Sequence, residues 1–121
     1  MFKVLKITIP IFLLAVFANI ASAQDSVKSS NGVNVYFFYG DGCPHCAVEE
    51  IFLDQLEAEN KNITVQRYEI WRNQKNADFL NSLAEKFGWN VQGVPFTVVG
   101  KKNFSGFYNA ETTGEQIKMA I

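Results

Sequence analysis

Both cysteines of the 121-residue chain, and its single histidine, fall within Gly42-Cys43-Pro44-His45-Cys46. Two thiols separated by two residues can close a small disulfide ring and reopen it, which points to redox chemistry before any fold is assumed. The pair is poorly suited to structural crosslinking, because it ties no distant parts of the chain together. It also matches half of a common zinc pattern, but no further Cys or His exists to complete four protein ligands. Capture of Cu(I) stays open, since that soft ion accepts two thiolates.

Exchange between thiols and disulfides requires an exposed thiolate, a leaving sulfur and a second thiol that resolves the mixed disulfide. Cys43 is the natural attacker, because it precedes a helix whose free N–H groups and dipole favour negative charge. Cys46 lies a turn further on and more buried. Pro44 suits the first helical turn, where its missing N–H costs nothing. His45 adds hydrogen bonding beside the Cys43 sulfur, and positive charge when protonated. Both effects lower the thiol pKa from about 8.5 toward the range of roughly 3.5 to 7. A shift of about three units makes the disulfide more oxidising by about 90 mV.

The elements that must position this motif are legible on either side of it. Val33 to Tyr39 is a dense β-branched and aromatic run, the pattern of a central strand buried on both faces. Gly40-Asp41-Gly42 breaks that strand and turns the chain into the motif. From Pro44 to about Asn60 the apolar residues Val48, Ile51, Phe52 and Leu56 recur at helical spacing, with Glu49, Glu50, Asp54 and Glu57 assigned to a solvated opposite face. Ile63 to Ile70 alternates like a strand. Asn73 or Asn76 can cap a second helix whose stripe of Leu80, Leu83, Ala84 and Phe87 stops at Gly88. Phe96 to Val99 and Phe104 to Tyr108 read as a hairpin around Gly100-Lys101-Lys102-Asn103, followed by a short helix from about Thr113 to Ile121. Trp71 and Trp89 sit near element ends as packing residues, with Trp89 also placed to flank a groove before Gly93-Val94-Pro95.

The first 23 residues differ in kind. Lys3 and Lys6 precede an almost wholly apolar run, Ile7 to Ile20, and Ala21-Ser22-Ala23 offers the small-x-small pattern that signal peptidases cut after. The run is shorter than the roughly 20 residues needed to span a bilayer. It is therefore expected to be a signal peptide, the alternative being an N-terminal membrane anchor. Residues 24–32 form a short polar leader, and residues 33–121 one small domain. Without the signal peptide, nine Lys and Arg stand against twelve Asp and Glu, a formal charge of −3. That balance gives no footing for nucleic acid or an anionic membrane.

The order β-α-β-α-β-β-α, with Cys43-Pro44-His45-Cys46 after the first strand and Gly93-Val94-Pro95 before the third, resembles the thioredoxin superfamily in its minimal form. The resemblance covers Val33 to Ile121. Pro44-His45, and Val94 before Pro95, are similar to the DsbA-like thiol oxidases of the bacterial periplasm. It implies an α/β fold, a mixed four-stranded sheet with helices on both faces, and Cys46 as the resolving thiol. It also implies a cis Pro95 beside the cysteine pair, with Gly93 and Val94 presenting backbone to an extended substrate segment.

Two departures stand out. Many members of the superfamily carry a buried acid six residues before the first cysteine, a position held here by Phe37. The helical insertion of DsbA-like oxidases is also missing between Cys46 and Pro95. The resulting expectation is an exported, monomeric protein disulfide oxidoreductase without a cofactor, favouring the oxidase or isomerase direction. Its partners would be protein substrates with cysteines and a membrane or periplasmic redox protein that resets the disulfide. A dedicated periplasmic reductase of the cytochrome c assembly type, a Cu(I) carrier and a redox-inert interaction domain are the alternatives.

Overall fold

The computed structural model describes residues 32–121, so the expected signal peptide and all but the last residue of the leader lie outside the described residues. The elements are β1 (Val33–Tyr39), α1 (Pro44–Glu59), β2 (Ile63–Glu69), α2 (Gln74–Phe87), β3 (Phe96–Val99), β4 (Lys102–Ser105) and α3 (Glu115–Ala120). A wide helical turn of the π type, Ala110–Gly114, leads into α3. The strands form one sheet in the order β2-β1-β3-β4. β1 runs parallel to β2 and antiparallel to β3, and β3 and β4 form an antiparallel hairpin.

β1 is central because its alternate residues feed two cores. Val35 and Phe37 pack with Phe52, Leu53 and Leu56 of α1 and Ile117 of α3. Phe38 and Tyr36 pack on the other side with Leu80, Phe79 and Leu83 of α2. Helices therefore cover both faces, and burying each such side chain contributes about 1.5–3 kcal/mol relative to leaving it exposed.

The phase of α1 differs from the expected one. Its buried residues are Cys46, Glu49, Phe52, Leu53 and Leu56, while Val48 and Ile51 are exposed. Cys46, Glu49, Leu53 and Leu56 follow a 3-4-3 spacing, a helical stripe whose phase is set by the cysteine at its start. The acidic residues are not simply solvated either. Glu50 and Glu57 lie 3.5 and 3.3 Å from the Arg67 guanidinium, with Asp54 also paired to it. Glu57 additionally accepts the Val65 N–H at 2.8 Å, covering a donor on the edge strand β2.

The hairpin is tighter than its sequence suggests. Val99 pairs with Lys102, so the turn is only Gly100-Lys101 and β4 begins two residues before Phe104. Gly100 has φ +59°, the conformation that two-residue hairpins require and glycine supplies without strain. Gly106 to Tyr108 then leaves the sheet, and Phe107 packs on Phe52 with ring centroids 5.4 Å apart. The last helical segment accordingly starts at Ala110, earlier than Thr113, after Asn109 caps it by accepting the Thr112 N–H at 2.8 Å.

Candidate active site

Gly40-Asp41-Gly42 carries the chain from the end of β1 to the start of α1, and the Cys43 N–H closes the turn on the Gly40 carbonyl at 3.0 Å. Cys43 is the N-cap of α1, and Pro44 occupies its first turn. The Cys46 N–H points back at the Cys43 Sγ, 3.2 Å away. Cys43 and Cys46 are joined as a disulfide with Cα atoms 5.2 Å apart. Cys43 is 7% exposed and Cys46 2%, the order expected of an outer attacking sulfur and an inner resolving one.

Two hollows are lined by residues of the motif. The first, about 340 Å³, is lined by His45, Val94, Pro95, Gly106, Phe107 and Tyr108 among others. His45 and the Val94–Pro95 segment, distant in sequence, thus meet on one side of the motif. The Val94–Pro95 peptide bond is cis. The Pro95 carbonyl accepts the Gly106 N–H at 2.8 Å, whereas the β3–β4 ladder starts only at Phe96, so Val94 and Gly93 lie outside it. The second hollow, about 240 Å³, is lined by Tyr39, Gly40, Asp41, Cys43, Pro44 and Glu50 among others.

Glu49 is the site residue that sequence reasoning assigned to solvent. It is 1% exposed, and its carboxylate accepts a hydrogen bond from the Thr97 hydroxyl. Burial pushes its pKa up to about 7, partly offset by the Thr97 hydrogen bond. Thr97 is the register partner of Phe37, the position where the superfamily resemblance places an acid on β1. A buried acid is therefore present at that level of the sheet, supplied by α1 instead of β1. The signal for it was the spacing: three residues beyond Cys46 on a helix is the same face.

The loop after β2 braces the turn before the motif. The Glu69 carboxylate accepts backbone N–H groups from Trp71 and Arg72, both at 2.9 Å, and from Asp41 at 3.3 Å. Although desolvation acts the other way, the donors of Arg72, Asp41 and Trp71 hold its pKa below the ordinary value. Arg72 reaches Asp41 at 2.6 Å. Trp71 packs near the end of β2 as expected, its indole covering Gly40, which lines the second hollow, yet it stays 59% exposed. Trp89 does not flank the cysteine site. It stacks on Phe87 at 4.7 Å and leans on Phe96 in the α2-side core.

No family profile and no curated protein matches the chain. Solved structures do. Chloroplastic thioredoxin z is similar at a TM-score of 0.55 and 18% identity, over 74% of this chain and 79% of that one. Desulfothioredoxin from Desulfovibrio vulgaris Hildenborough, in its reduced form, is similar at 0.52 and 22% identity, over 74% and 82%. The glutaredoxin of Archaeoglobus fulgidus is similar at 0.50 and 23% identity, over 71% and 87%. With its four-stranded mixed sheet, helices on both faces and C-x-x-C pair at the start of α1, the chain has a thioredoxin-like fold.

Proposed function

We propose that this chain is an exported thiol-disulfide oxidoreductase that exchanges its Cys43–Cys46 disulfide with protein cysteines, in the oxidase or isomerase direction. The observation that carries the reading is Cys43 as helix N-cap with the Cys46 N–H aimed at its sulfur. A donor and a helix N-terminus on one sulfur favour its thiolate, hence the reduced protein, hence an oxidising disulfide.

In the forward direction a substrate thiolate attacks the Cys43 Sγ. The new sulfur–sulfur bond forms as the Cys43–Cys46 bond breaks, and Cys46 departs as a thiolate that takes up a proton. A second substrate thiolate then attacks the substrate sulfur of the mixed disulfide, and Cys43 leaves as a thiolate. The substrate has lost two electrons as a new disulfide, and the protein holds them as a dithiol. A redox partner then resets it. In this reading Glu49, three residues beyond Cys46 on the same buried face of α1, donates the proton to Cys46 and accepts it in reverse, and a pKa raised by burial to about 7 suits both roles. The backbone of Val94 pairs with the extended substrate, beside His45. The similarity of Pro44-His45 and Val94-Pro95 to DsbA-like oxidases supports the direction, and the N-terminal 23 residues support export.

The second reading is a dedicated reductase. It is favoured by the fourteen-residue α2 that alone occupies the span between β2 and β3, where DsbA-like oxidases carry their insertion. The reduction potential separates the two. Equilibration against glutathione, followed by mass analysis of the trapped thiols, is expected to give a value above roughly −200 mV. A value near the roughly −270 mV of thioredoxin overturns the oxidase direction.

A further inference from the structure

We propose that Trp71 is a specificity-determining residue of this exchange site, holding an apolar side chain that lies within two residues of the substrate cysteine while that cysteine is bonded to Cys43. The inference rests on the exchange reading above and names which protein segments the site prefers.

Trp71 is a large apolar side chain left 59% exposed over Gly40, three residues before Cys43. Its indole lies so close to Gly40 that a Cβ there would overlap the ring, so this seat exists only because residue 40 is glycine. The backbone beneath it is fixed by the Glu69 carboxylate on the Trp71 and Arg72 N–H groups and by the Arg72–Asp41 pair. An exposed aromatic ring on a braced backbone has little ordering left to lose on binding. Rigid tryptophan faces of this kind dominate recognition at protein surfaces.

The seat is continuous with the chemistry. Gly40, on which the indole rests, lines the same hollow as Cys43 and Pro44. A separate hollow, lined by His45 and Val94, adjoins the motif at His45. An extended segment linked to Cys43 advances about 3.3 Å per residue, and the Cys43 N–H lies 3.0 Å from the carbonyl of Gly40, which the indole covers, so a side chain one or two residues from its cysteine falls within reach of the ring. The occupant is apolar and not acidic, because Asp41 and Glu50 line this hollow and the nearby Arg72 cation is engaged by Asp41.

The test compares reduced single-cysteine peptides that differ only in the neighbour of the cysteine: Phe, Leu, Ser or Glu. Rates of mixed-disulfide formation with the oxidised protein are measured by acid quench and mass spectrometry. The wild type is expected to prefer the Phe and Leu peptides over Ser by about tenfold, from partial burial of one apolar side chain. Trp71→Ala brings that ratio close to one, and Trp71→Phe retains most of it. A purely structural effect slows all peptides together and leaves the ratio intact, which overturns the proposal, as does a wild type with no apolar preference. Failure of the wild type to react even with β-mercaptoethanol overturns the exchange reading itself.

Discussion

Glu49 is a carboxylic acid placed where the stripe of a helix calls for hydrocarbon, and its ionisation sets a pH dependence. Its pKa is about 7 in the fold against 4.5 for the free side chain, so the folded state binds the proton more tightly. The stability this contributes is fully present below about pH 4.5 and is lost as pH rises through 7, with a total of about 3 kcal/mol. Glu49→Gln is therefore expected to flatten the stability profile and to be more stable than wild type at pH 8, as urea denaturation of the oxidised protein at pH 5 and pH 8 will show. An unchanged slope contradicts the assignment. The same substitution removes the proposed proton donor to the departing Cys46, so formation of the mixed disulfide slows by about 10²-fold, measured by quenched-flow kinetics. Glu49 escaped notice in the sequence because it sits among Glu50, Asp54 and Glu57, a company that suggests a charged face. The cysteines needed no structure to be found, since their spacing alone carries the chemistry.

At the scale of elements, two braces hold the site from outside the motif. The first is the Glu69-centred loop with Trp71 on Gly40. Gly40→Ala is expected to expel the indole and cost about 1–3 kcal/mol by overpacking. In a Trp89→Phe background, the emission of Trp71 then shifts to that of a fully solvated indole; an unchanged spectrum contradicts the contact. The second brace is α2, which Asn73 caps by accepting the Asn76 N–H at 3.3 Å while Asn76 holds the Glu69 carbonyl at 2.9 Å. Asn73→Ala is expected to lose about 1 kcal/mol in chemical denaturation. That cap and the stop at Gly88 were legible, because capping chemistry is local. The phase of α1 was not: Val48 and Ile51 satisfy a helical period as well as the true stripe does, and only the sheet decides which face turns inward.

At the scale of the molecule, the order of elements was readable because each strand and helix carries its own period and its own punctuation. The hollow shared by His45 and the Val94–Pro95 segment was not, since nothing local brings residues some fifty apart together. That meeting came only through the resemblance of Cys43-Pro44-His45-Cys46 and Gly93-Val94-Pro95 to a known pattern. The hairpin turn and the start of the last helical segment were misplaced by a few residues, where Gly100 and Asn109 redirect the chain. The parts form one assembly: a dithiol at the start of α1, a buried acid one turn further along the same helix, a cis-proline segment sharing a hollow with His45, and a tryptophan braced over Gly40. The central claim is that Cys43 forms the mixed disulfide with protein substrates, with Cys46 the leaving sulfur of that step and, in reverse, the thiol that resolves it. Mass spectrometry of Cys46→Ala mixed with insulin tests it most directly. The account predicts a covalent adduct through Cys43, one insulin molecule per protein, released by dithiothreitol and absent from the Cys43→Ala variant. A Cys46→Ala protein that forms no adduct, or a Cys43→Ala protein that forms one as fast, contradicts it.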